Sequence, residues 1–313
     1  MNLPLVGIKS LGFRTMFGTW VAPGANVTYL GPAGVFESAY TENNRVATLA
    51  AAVARMRASK NDTIYLLPGY AENVSSAAYA SIPAGTKLIG LGHTDDASAP
   101  KLTWTAAAAT LLLNAADILI QNVVLDFSGV ADCAAPITVS AAGCGIDNCR
   151  IIMQNDTASF SALKGITLAA GANRFRFCDN VVEADSEDDD ANVVGGVINI
   201  GAAVQGVRIH RNEFTFACPG DTVGIIDVTA AAKKLSIRDN LFYQLAADAA
   251  FAIIIDDVAA QGLVVKNGMR ITENVAPASA GLSVGASSLI LNWDNEVSAA
   301  STADATLVDA ADT

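Results

Sequence analysis

Five carboxylates occupy six consecutive positions at Asp185-Ser186-Glu187-Asp188-Asp189-Asp190. Hard cations take several carboxylate oxygens at once, so Asp185, Glu187, Asp188, Asp189 and Asp190 are a candidate Ca²⁺ site. Glycoside hydrolysis would need a different layout, two carboxyls held about 5–10 Å apart across a cleft. Neighbours on one loop supply no cleft, and no aromatic platform lies near them. The run therefore reads first as a solvated acidic loop, with Ca²⁺ as the alternative. The only histidines are His93 and His210. The five cysteines are Cys133, Cys144, Cys149, Cys178 and Cys218. Cys144 and Cys149 lack the spacing of a zinc knuckle, and no histidine completes a set. The cysteines read as small buried apolar residues. No catalytic residue and no cofactor follow from these groups.

The basic residues are more orderly. Of the eleven Lys and Arg after residue 130, eight lie on or beside one recurring segment: Arg174, Arg176, Arg208, Arg211, Lys233, Lys234, Arg238 and Lys266. If successive copies of that segment stack, Arg176, Arg208, His210, Arg238 and Lys266 fall on one outward side. They then form either a docking stripe for an acidic surface or a solvated ladder relieved by Asp179, Glu213 and Asp239. The chain as a whole carries a formal net charge of -12. That acidity argues against general nucleic-acid binding. No apolar run reaches the roughly 18–20 residues of a membrane span. Met1 to Trp20 lacks the pattern of a secretory signal, and an odd number of cysteines suits a reducing compartment.

The elements that must position these residues announce themselves by a repeat. Ile198, Ile226, Ile254 and Leu282 are 28 residues apart, as are Val207, Leu235, Leu263 and Leu291. A fixed period of this size marks a solenoid, in which each unit buries its apolar face against its neighbours. Each unit reads as three short strands. The first is apolar, as in Ile137-Thr138-Val139 and Ile166-Thr167-Leu168. The second alternates, as in Val207-Arg208-Ile209 and Leu235-Ser236-Ile237, so one side chain points in and the next out. An Asn follows in each unit: Asn122, Asn148, Asn180, Asn212, Asn240, Asn267 and Asn295. Asn tolerates the left-handed backbone of a sharp bend, and stacked amides can hydrogen-bond along an axis. The third strand comes next, and length variation falls after it. The fold expected is all-β: a parallel β-solenoid of three strands per turn and roughly eight turns from Thr63 onward. A helix over Arg45 to Ala58, capped by Asn43 or Asn44, should close its first end. Residues 1–45 are expected to be an arm, 46–297 the helix plus solenoid, and 298–313 a tail or cap.

Three segments carry a resemblance. They are Val46 to Val53, then Asp62-Thr63-Ile64-Tyr65-Leu66-Leu67-Pro68-Gly69-Tyr70-Ala71-Glu72, then Lys87-Leu88-Ile89-Gly90-Leu91-Gly92. Their order resembles the start of right-handed parallel β-helix proteins of the pectin-lyase-like superfamily, and most of all virion proteins of tailed bacteriophages. The resemblance implies a right-handed single-stranded β-helix. It implies a virion location after assembly in the host cytoplasm, with capsid protein or other virion subunits as partners. It also implies a homo-oligomer, a trimer among the options. The paired-Asp, Gly-His-Gly and Arg-Ile-Lys signatures of the superfamily's hydrolases have no counterpart here. A non-enzymatic capsid decoration or cement protein is therefore the first expectation. A tailspike or tail-fibre protein that binds or depolymerises host polysaccharide is the alternative.

Overall fold

The computed structural model describes residues 26–31, 44–77, 79, 81–153, 162–184, 196–216, 224–244, 252–271, 282–284 and 289–299. Three parallel sheets of eleven, seven and nine strands wind the chain into a β-solenoid. The seven-stranded sheet sets the number of complete three-strand turns among the described residues at seven, from Leu111–Leu113 to Leu282–Val284. Ahead of these, Thr63–Leu66 and Lys87–Gly90 each belong to a two-strand turn, completed by Ala71–Val74 and Lys101–Trp104.

Alternation explains the core. In the eleven-stranded sheet the inward column runs Ile120, Ile146, Phe177, Ile209, Ile237 and Val264, all buried. In the seven-stranded sheet it runs Leu111, Ile137, Ile166, Ile198, Ile226 and Ile253. The nine-stranded sheet contributes Leu125, Ile151, Val182, Phe214, Phe242 and Met269. Phe214 and Phe242 stack at 4.8 Å with rings 6° from parallel, because equal side chains one turn apart lie face to face. Close stacking also leaves no room at Gly90, where a Cβ would stand 1.8 Å from the Asn122 carbonyl oxygen.

The 28-residue columns slip by one residue. Ile226 pairs with Ile253 rather than Ile254, and Leu235 pairs with Gly262 rather than Leu263. Leu263 and Leu291 therefore face outward, on the column of Arg208 and Ser236. The cause is local. The run Ile253-Ile254-Ile255 offers isoleucine in either register, and the next turn, Ile253 to Leu282, absorbs the difference.

The first end differs from expectation in two ways. Part of the expected arm is strand, since Val27–Leu30 pairs in parallel with both Thr63–Leu66 and Arg45–Val46. The helix is short, Leu49–Val53, and its cap is Thr48, whose Oγ1 accepts from the Ala51 N–H at 3.2 Å. Arg45 and Val46 are unavailable to the helix because they pair with Tyr29 and Leu30. Asp62 fastens this end. Its carboxylate is fully buried and accepts from the N–H groups of Asn26 (2.6 Å) and Arg57 (2.8 Å) and from the Arg57 guanidinium (2.9 Å). Burial pushes its pKa up, and the Arg57 and backbone donors outweigh that and hold it below the ordinary value. No described helix is long and apolar enough to cross a membrane. Most of the expected arm and tail lie outside the described residues.

Candidate docking face

Along most strands of the eleven-stranded sheet two positions point away from the core, in columns that mix exposed side chains with buried ones such as Cys178, His210 and Val265. The first column reads Gly145, Arg176, Arg208, Ser236, Leu263, Leu291. The second reads Asp147, Cys178, His210, Arg238, Val265, Trp293. A third column lies at the bend that ends these strands: Asn122, Asn148, Asp179, Arg211, Asp239, Lys266 and Asp294, all with φ between 50° and 59°. The structure thus brings Arg176, Arg208, His210 and Arg238 together on adjacent strands. It places Lys266 beside them at the bend rather than in an outward strand position, since the one-residue slip carries Val265 into register with Arg238.

Charge along this face is uneven. Arg176 is held by Asp147 at 2.6 Å, and Arg211 meets Asp179 through two bonds of 2.7 Å. Arg238 is 3.8 Å from Asp239. Arg208, Lys233, Lys234 and Lys266 are exposed and have no ion-pair partner among the described residues. A cationic field therefore persists at the middle of the wall, and His210 senses it. Burial, followed by Arg238, Arg211 and Arg208, depresses its pKa to about 4, so the ring is neutral at pH 7. Arg238 Nε donates to Nδ1 (3.4 Å), which leaves the proton on Nε2 to be donated to Ser236 Oγ at 2.9 Å. In that tautomer His210 cannot take a proton from Ser236, so the pair is a structural hydrogen bond.

Behind the wall runs a polar ladder. The seven Asn residues expected in one column occupy two. Asn122 and Asn148 sit in the left-handed bend, with φ 57° and 50°. Asn180, Asn212, Asn240, Asn267 and Asn295 come one position later, where the turns before them carry Val123 and Cys149. Each of these five is buried. The side-chain oxygen of each accepts from the backbone N–H of the residue one turn earlier, from Asn180 to Cys149 (2.8 Å) through to Asn295 to Asn267 (2.9 Å). Each Nδ2 donates to a backbone carbonyl across the bend, such as Phe177 for Asn212 (3.0 Å). The amide thus replaces partners that a bend removes from the buried backbone. Asp, Arg and Lys fill the left-handed position in later turns because their side chains there point to solvent, and the stacked turns fix the backbone.

Sequence reasoning missed Asn199 and Asp227, which face outward on the seven-stranded sheet yet are buried, joined by a 3.0 Å bond from Nδ2 to Oδ2. Burial and the nearby Asp256 raise the Asp227 pKa. Their signal was a polar pair at the position of Thr138 and Thr167. His93 is exposed beside Asp95. Cys133, Cys144, Cys149 and Cys178 are buried free thiols, with burial raising the pKa of each. No cluster of three or more His, Cys, Asp or Glu suited to a metal occurs among the described residues. The run Asp185, Glu187, Asp188, Asp189 and Asp190, with Cys218, lies outside the described residues.

These features define a class, a three-sheet parallel β-solenoid with an internal Asn ladder and a partly cationic outer wall. No protein-family model, curated protein or solved structure matches the chain.

Proposed function

We propose that this chain is a non-enzymatic structural protein of a tailed-phage virion, a decoration or cement protein on the capsid exterior. The observation that carries the reading is the unneutralised group Arg208, Lys233, Lys234 and Lys266 on one wall of a chain whose net charge is -12. Stacked turns hold Arg208 on a strand and Lys233, Lys234 and Lys266 beside the strand ends, which suits repeated contacts with an acidic shell. Many weak contacts on a symmetric surface add up to firm attachment without a deep pocket. The order of segments over residues 46–92 supports the phage assignment by its resemblance to virion β-helix proteins. In this reading the partners are capsid subunits and the chain's own copies, and the location is the assembled particle.

Charge reversal tests the docking role. Arg208→Glu combined with Arg238→Glu should weaken binding to purified particles stripped of this protein. It should also flatten the salt dependence of that binding, because screened contacts have been removed. Unchanged binding with an unchanged salt slope would contradict it.

A further inference from the structure

We infer that two copies of this chain join tail to tail through the strand Leu289–Trp293, in a two-fold dimer centred on Leu291. This edge ends the same sheet that carries the cationic wall, two strands past Arg238, and the inference goes beyond the docking reading.

The two ends of the solenoid are treated differently. At the first end the outermost strand of the eleven-stranded sheet is Arg45–Val46, only two residues long, with one charged. The helix Leu49–Val53 lies against it, with Leu49 and Ala52 fully buried. A short, charged, covered edge is a protected edge. At the other end the outermost strands are Leu282–Val284, Leu289–Trp293 and Glu296–Ala299. The middle one, Leu289-Ile290-Leu291-Asn292-Trp293, is five residues long and has no charge. Its outward side chains are widely exposed: Leu289 71%, Leu291 61% and Trp293 48%. Leu263 and Val265 stand behind them in register, so both outward columns turn from Arg208 and Arg238 to apolar within two strands. Among the described residues no strand pairs with the far side of Leu289–Trp293, and an uncharged apolar edge strand is a pairing surface.

A second copy fits this edge for three reasons. The outward pattern Leu-x-Leu-x-Trp maps onto itself under an antiparallel two-fold. Leu291 then faces its own counterpart, and Leu289 lies opposite the partner's Trp293, an aliphatic–aromatic cross-strand pair. The same rotation sets Leu282–Val284 against the partner's Glu296–Ala299, so all three edges are paired at once. Finally, the copies are strongly acidic, and the central strand is a place where they meet without opposed like charges. Head-to-tail growth would need a second long apolar edge, and the other edge of this sheet is the short, charged Arg45–Val46 with the helix against it. The contact is therefore isologous and closes at two copies.

The full chain is tested by sedimentation equilibrium over a concentration series. The parent chain should be a dimer. Leu291→Lys, at an exposed position that tolerates lysine in the protomer, should raise the dissociation constant by about tenfold or more. Arg208→Glu should leave it unchanged, which separates this contact from the docking wall. Leu291→Cys should give a covalent dimer on mild oxidation, and the parent chain should not, because residue 291 meets its own counterpart. A monomeric parent chain, an assembly that grows beyond two copies, or a dimer indifferent to Leu291→Lys and uncrosslinked by Leu291→Cys would overturn the inference.

Discussion

Asn212 Oδ1 lies one turn beyond Asn180 and accepts from it twice, from the backbone N–H at 2.9 Å and from Nδ2 at 3.0 Å. Asn212 also donates Nδ2 to the Phe177 carbonyl at 3.0 Å. One buried side chain thus bonds two backbone groups of the preceding turn. Asn212→Ala would strand the Asn180 N–H in an apolar setting and remove one donor from the Phe177 carbonyl. The expected loss is about 2 kcal/mol, since a stranded buried group costs about 1–3 kcal/mol. Denaturant unfolding of parent and variant measures it. Asn148→Ala, in the solvent-facing bend column, should cost less than Asn212→Ala, because water can replace its side chain.

His210 predicts a pH dependence. Its folded pKa is about 4 against an ordinary 6.5. Between those values the unfolded chain binds a proton that the folded chain refuses. Stability therefore falls as pH drops through that window, and the loss is complete below about 4. The magnitude is on the order of 2 kcal/mol. His210→Gln should lack this component, so its stability should decline less than the parent's between pH 7 and pH 4.5, measured by chemical denaturation at the two pH values.

Asp62 joins Asn26, distant in sequence, to Arg57 and the start of the strand Thr63–Leu66. Asp62→Ala leaves the Asn26 and Arg57 N–H groups without their acceptor. A loss of about 2–4 kcal/mol is expected, at about 1–3 kcal/mol for each stranded group. Hydrogen exchange should show the loss concentrated in Val27–Leu30 and the strands beside it. Uniform loss across all turns would contradict this local role.

Lys266 holds φ 56° with no ion-pair partner among the described residues. Glycine adopts that conformation without the Cβ clash, at the cost of a freer unfolded chain. Lys266→Gly should change stability by less than about 1 kcal/mol, with relief of strain and added entropy opposed. Thermal unfolding checks it. Lys266→Val should be clearly destabilising, because a β-branched residue fits that region poorly.

The solenoid was legible because its core is built from like residues in phase: Ile198 on Ile226, Phe214 on Phe242. The register after residue 226 was not, because three successive isoleucines satisfy either alignment. The Asn ladder was visible as a recurring letter, and its division into an outer bend pair and a buried chain of five was not. Position in a bend depends on φ, and the turns around Asp179, Arg211 and Lys266 impose φ on residues that do not prefer it. The strand Val27–Leu30 was overlooked because it stands outside the repeat, although Val-Thr-Tyr-Leu is a good strand sequence. The basic residues of this wall were legible as a cluster. Which of them are neutralised followed only from the placement of Asp147, Asp179 and Asp239.

The proposed virion role is tested most directly by the copy number of this protein in virus particles purified from cells that express it, counted by quantitative mass spectrometry against the major capsid protein. A decoration protein should be present in a fixed ratio to capsid subunits, and salt washing should release it as the Arg208 and Lys266 wall is screened. Absence from the particle, or a handful of copies confined to the tail, would contradict the account.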